Sequence, residues 1–201
     1  MRKLAKLFIF LAALVPLAWL VFAVLTGRTS ANPAEDIILT TGIWALRFLL
    51  ITLAITPLRR VSGWNVLIQY RRMFGLFAFF YACTHLLSYV AFDRFFALGE
   101  ILADIAKRPF ITAGMAAFAL MLPLAVTSTR GWIRRLGRHW QLLHRLVYFS
   151  AMAACLHFIW KVKVVLGEPV YYAAILGALL GFRLLWRIRS PGRIRPQTAR
   201  A

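Results

Sequence analysis

Long apolar runs alternate with short polar stretches along most of this chain. The runs cover 7–26, 37–58, 73–92, 111–127, 139–160 and 170–186. Each is about 17–22 residues long, enough for an α-helix to cross a hydrocarbon core about 30 Å thick. The pattern predicts an all-α integral membrane protein with six transmembrane helices. The first run, behind Arg2, Lys3 and Lys6, has the basic start of a signal peptide and small residues near Ala31. It is longer than a usual signal core of about 7–15 residues, so it is read as a first transmembrane helix, kinked at Pro16.

The polar stretches are short. Residues 27–36 form a turn-rich loop broken by Asn32–Pro33. Residues 61–72 read as a loop or short interfacial helix with Trp64 and Tyr70 at headgroup depth. The 93–110 connection carries mixed charge and a predicted amphipathic helix over 98–105. The segment 128–138 is basic, and 161–169 is a short polar link. The organisation read from this is a first helix and outer loop (1–36), a helical membrane domain (37–187) and a basic, disordered cytoplasmic tail (188–201).

Composition agrees: 62% of residues are hydrophobic, 15% charged, and mean hydropathy is +0.74. The net charge of +19 would suit nucleic acid, but the cations sit between apolar runs, where they set orientation and meet lipid headgroups. Nucleic acid is therefore not an expected partner. Segments 2–6, 59–72, 130–145 and 183–200 hold 18 of the 25 Lys and Arg, and all six acids fall in the alternate loops. This bias puts both termini in the cytoplasm. Removal of the first span as a signal would leave that loop bias unchanged.

Candidate chemistry rests on histidines inside the runs. Ionisable groups in a membrane are costly and point to function, and imidazole is the usual protein ligand of haem iron. His85 lies about 13 residues, or about 20 Å, along the third run, and His157 reaches a similar depth from the fifth. Matched depth on separate helices suits a bis-histidine haem b, with interhelical hydrogen bonding as the bland alternative. His144 lies about one turn inside the cytoplasmic edge. On one continuous helix it would be about 140° round from His157. His139 is read as interfacial. Cys83 and Cys155 are read as inert small hydrophobes. Arg47, mid-span, either pairs with polar groups on facing helices or partners a haem propionate or quinone oxygen. Arg71, with Arg72, Arg138 and Arg145, rings the cytoplasmic mouth, holding propionate, flavin phosphate or lipid headgroups.

The stretches TGIWALRFLLITLAITPLRR (41–60), RRMFGLFAFFYACTHLLSY (71–89), KRPFITAGMAAFALMLPLAVTST (107–129) and RRLGRHWQLLHRLVYFSAMAACLHFIW (134–160) are similar to the MsrQ (formerly YedZ) family. That family has a ferric-reductase-like haem-binding bundle. The resemblance covers most of 37–187. It implies a membrane electron-transfer subunit of the Gram-negative inner membrane, not itself the catalytic subunit. It implies electrons drawn from the quinone pool or a cytoplasmic flavin reductase, and delivered to a periplasmic molybdenum-cofactor enzyme, MsrP, that reduces methionine sulfoxide in proteins. The family's haem histidines fall on His85, His144 and His157, and FMN is an implied second cofactor. A four-histidine pattern would want a ligand about 14 residues before His85, where Arg71 stands. One complete bis-histidine haem is therefore expected. A second haem on His144 would need another ligand or an open position, and an inner flavin or quinone is an alternative occupant. A self-contained ferric or quinone reductase is disfavoured by the lack of a glycine-rich nucleotide loop. A non-redox membrane scaffold is the remaining alternative.

Overall fold

The computed structural model describes residues 2–162 and 167–189. Most of the tail assigned to 188–201 and the centre of the 161–169 link lie outside the described residues. Six helical spans long and apolar enough to cross a membrane are present among them: Lys3–Leu25, Pro33–Ser62, Asn65–Asp93, Pro109–Val126, Arg138–Val162 and Glu168–Arg189. The described residues hold no strand, and the chain is a multi-pass, all-α membrane protein.

Local signals explain the helix ends. α1 is Arg2–Leu25 and α2 is Pro33–Ser62. The Asn32 side chain caps α2 by accepting from the Glu35 N–H, and Pro33 occupies the first turn, where no N–H is needed. Glu35 and Asp36 face the positive end of the helix dipole, and Arg59 and Arg60 the negative end. Gly63, at φ 73°, closes α2 in the left-handed conformation that glycine adopts without strain. A 3₁₀ turn, Asn65–Tyr70, leads to α3, Arg71–Ser88. There Trp64 is exposed, whereas Tyr70 turns into the bundle.

α3 ends in a π-helical turn, Tyr89–Asp93, followed by α4 (Leu98–Lys107) and α5 (Pro109–Val126). α4 extends the amphipathic helix read at 98–105 by two residues. Next come α6 (Arg130–Leu136), α7 (Arg138–Leu143), α8 (Leu146–Val162) and α9 (Glu168–Arg189). The fifth run is therefore not one continuous helix. It breaks into a turn at His144–Arg145 between α7 and α8, so the rotation expected for a single helix does not relate His144 to His157.

Packing pairs α2 with α3 and α5 with α8 as two long hairpins, with α9 against α2 and α8 and α1 against α2. The core centres on Phe48, whose ring meets Phe74, Phe77 and Tyr81. Ser150 is fully buried and donates to the Ala117 carbonyl at 2.9 Å, tying α8 to α5 where both backbones run close. Pro16 interrupts the α1 ladder, and the buried Tyr81 hydroxyl fills the gap. It accepts from the Leu17 N–H at 3.2 Å and donates to the Ala13 carbonyl at 2.9 Å. Leu4, Phe8 and Trp19 on the outer side of α1 are exposed, as lipid-facing residues should be.

The ends of the bundle differ. Where α2 and α5 begin and α3 and α8 finish, the connections carry all six acids; the opposite end is rich in arginine.

Candidate functional site

A cavity of about 840 Å³ opens between the two hairpins at the acid-bearing end, within the size range of cofactor sites. Ile43, Leu46, Leu49, Met115, Phe118 and Met121 form apolar walls, and His85 and His157 face each other across it. Their ring centroids are 6.0 Å apart and their planes are inclined at 75°.

Each ring is oriented by the neighbouring helix of its own hairpin. His85 Nδ1 lies 2.9 Å from the Ile38 carbonyl, and His157 Nδ1 lies 2.6 Å from the Phe110 carbonyl. A carbonyl only accepts, so Nδ1 carries the proton in both rings and Nε2 is left with its lone pair. This is the tautomer of metal-ligating histidines, whose second nitrogen commonly donates to a backbone carbonyl. Two metal–nitrogen bonds of about 2 Å and two ring radii of about 1.1 Å add up to a centroid separation of about 6.2 Å. Tautomer, spacing and apolar walls therefore fit a bis-histidine haem.

The other sequence-selected residues lie apart from this pair. Arg47 borders the cavity, but its Nε donates to the Tyr172 hydroxyl at 2.8 Å and its guanidinium lies 4.8 Å from the Trp44 ring centroid. Arg47 is thus paired across helices while also lining the cavity. His144 is at the arginine-rich end, stacked on Trp140 at 3.9 Å, with Nδ1 3.0 Å from the Trp140 carbonyl. Its Nε2 is buried without a partner. Arg71 is at the same end, close enough to act electrostatically on His144 and Arg183, and does not line the cavity. His139 is exposed, Cys83 is half-buried and Cys155 is buried; both thiols are free.

Several residues that sequence reasoning missed belong to the two ends. Arg108 and Lys161 add cations to the cavity lining, with Lys161 near His157. Arg183 donates to the Leu53 carbonyl, lies over the Tyr148 ring at 5.2 Å, and keeps a buried NH1 without a partner. Gly42 and Gly114 lie against the two histidine rings. A signal for them was present: Thr-x-Gly recurs at 40–42 and 112–114, and Ala-Cys-x-His at 82–85 and 154–157, the same step of 72 residues.

Above the cavity, Arg94 pairs with Asp93, Glu100 and Asp104, while Arg108 Nε pairs with Asp104 at 3.0 Å. The Tyr89 hydroxyl donates to Asp104 at 2.8 Å. Burial pushes the Asp104 carboxyl up. The Tyr89 hydrogen bond and the Arg108 and Arg94 charges outweigh that effect and hold it below the ordinary carboxylate range.

Comparison with known proteins agrees with this architecture. Residues 41–155 match the family described as "Ferric reductase like transmembrane component". The protein-methionine-sulfoxide reductase heme-binding subunit MsrQ of Herminiimonas arsenicoxydans is 50% identical, over 91% of this chain and 85% of its own. The MsrQ proteins of Rhodospirillum rubrum (50%, over 93% and 90%) and Xanthomonas euvesicatoria pv. vesicatoria (49%, over 91% and 86%) are similarly related. With identity of this order along nearly the whole length, the chain belongs to the MsrQ family of ferric-reductase-like transmembrane proteins.

Proposed function

We propose that this protein is a haem b membrane electron-transfer subunit that passes electrons outward to a periplasmic enzyme reducing protein methionine sulfoxide. One observation carries the reading: two imidazoles from different hairpins face each other at 6.0 Å with Nδ1 committed to backbone carbonyls. The relatives' names, which describe a heme-binding subunit of a protein-methionine-sulfoxide reductase, point the same way.

His85 and His157 would hold the iron through Nε2. Held by these two protein nitrogens, haem would supply one-electron transfer rather than oxygen binding. The residues divide the remaining work. Ile38 and Phe110 fix the rings, the apolar walls exclude water, and Arg47, Arg108 and Lys161 provide cationic character toward propionates. The cavity lies mainly in the 37–187 domain, with Asn32, Ala34 and Glu35 of the preceding segment also lining it. The inner-membrane orientation with both termini cytoplasmic is supported by the charge bias, and it places the cavity toward the periplasm.

At the opposite end His144, Arg71 and Arg183 lie where quinone or a cytoplasmic flavin reductase would deliver electrons. FMN belongs to this reading through family likeness, as does the molybdenum-cofactor partner, MsrP. The chain supplies electrons and leaves the sulfoxide chemistry to that partner.

The test is an optical and EPR spectrum of the full chain, purified after haem-replete expression. A reducible low-spin b-type signal is expected; protein that is folded but colourless would sink the proposal.

A further inference from the structure

The two halves of the cavity are built alike. Both hairpins run from the acid-bearing end to the arginine-rich end and back, with α2 against α3 and α5 against α8. The step of 72 residues that joins His85 to His157 also joins Ile38 to Phe110 and Gly42 to Gly114. In each half the ring is tethered to a carbonyl one helical turn before the glycine.

Both glycines are in close contact with their rings. A Cβ on Gly42 would lie 3.0 Å from Cε1 and 3.0 Å from Nδ1 of His85. A Cβ on Gly114 would lie 2.8 Å from Nδ1 and 3.1 Å from Cε1 of His157. Other helix glycines lack this crowding: Gly75 would meet the Thr52 methyl at an ordinary 3.6 Å, and Gly177 and Gly181 would meet nothing within 4 Å. Glycine is less favourable than alanine in a soluble helix interior, and the close ring contact supplies a local reason for it here. A ring whose Nδ1 and Cε1 sit against a bare Cα has no room to move toward that helix, and the Nδ1 tether sets its height.

We propose that Gly42 and Gly114 are positioning residues, paired across the cavity, which seat the two imidazoles so that both Nε2 atoms point at one metal. The proposal rests on the haem reading above. Neither glycine would touch the iron; each acts through its histidine.

The experiment compares Gly42→Ala, Gly114→Ala and the control Gly177→Ala in the full chain. Gly177→Ala should match the parent in haem retention, EPR g-values and reduction potential. Each of the other two should lose about tenfold or more in haem retention, the range seen when orienting groups around metal ligands are removed, and shift the low-spin g-values of what remains. Unchanged retention, g-values and potential in both would overturn the proposal. Should a single variant fail to accumulate, Gly114→Ala is placed in His157→Ala, and Gly42→Ala in His85→Ala. A double variant that accumulates and melts like its histidine parent supports a clash with the ring. One that still fails to accumulate overturns it. Absence of low-spin haem from the unmutated protein would instead sink the functional reading, and the double variants would still report whether ring and glycine compete for space.

Discussion

A neutral histidine inside a membrane must place its one N–H somewhere, and in lipid there is no water to receive it. Ile38 and Phe110 solve that problem at His85 and His157. At His144 the solution is local, a carbonyl one turn earlier on its own segment. His85→Ala and His157→Ala should each abolish the low-spin haem signal, whereas His139→Ala, on an exposed ring, should leave it intact. Visible and EPR spectra read both outcomes. Residue type and depth made the facing pair legible in the sequence, since helical rise converts position into height. The tethering carbonyls were not legible, because backbone acceptors have no residue code. Arg183 was hidden for a related reason: it read as one more cation at a span end until the fold brought Leu53 and Tyr148 to it.

Among the elements, the spans were readable because a membrane demands about 20 apolar residues in a row. The break at His144–Arg145 was not, because neither glycine nor proline marks it. The splice in α1 was half legible. Pro16 announced a missing rung, but its repair by a tyrosine 65 residues later is a tertiary event. Tyr81→Phe should lower stability by about 1–3 kcal/mol, the usual result of leaving buried polar partners unpaired, as measured by denaturant titration in detergent micelles. The α4 connection should respond to acid. Asp104 titrates below its ordinary value in the folded protein, so its contribution is complete above the unfolded carboxylate pKa of about 4. The contribution is lost as pH falls through the depressed value. Asp104→Asn should flatten that acid limb in melting curves, while the parent shows it.

At the scale of the whole molecule, the orientation read from charge makes a simple demand. Reporter fusions at residue 100 should be active only outside the cytoplasm, and fusions at residue 135 only inside. The reverse pattern would invert the proposed electron flow. Composition made the multi-pass helical architecture readable, while the pairing of hairpins around a cavity required the folded chain. That cavity lies off-centre, near the mouths of the helices that carry acids. If electrons tunnel through it, arrival from the arginine-rich side spans more insulating protein than departure. Throughput would then be governed by the entry leg, and a change that tightens contact with the downstream enzyme would leave turnover almost untouched.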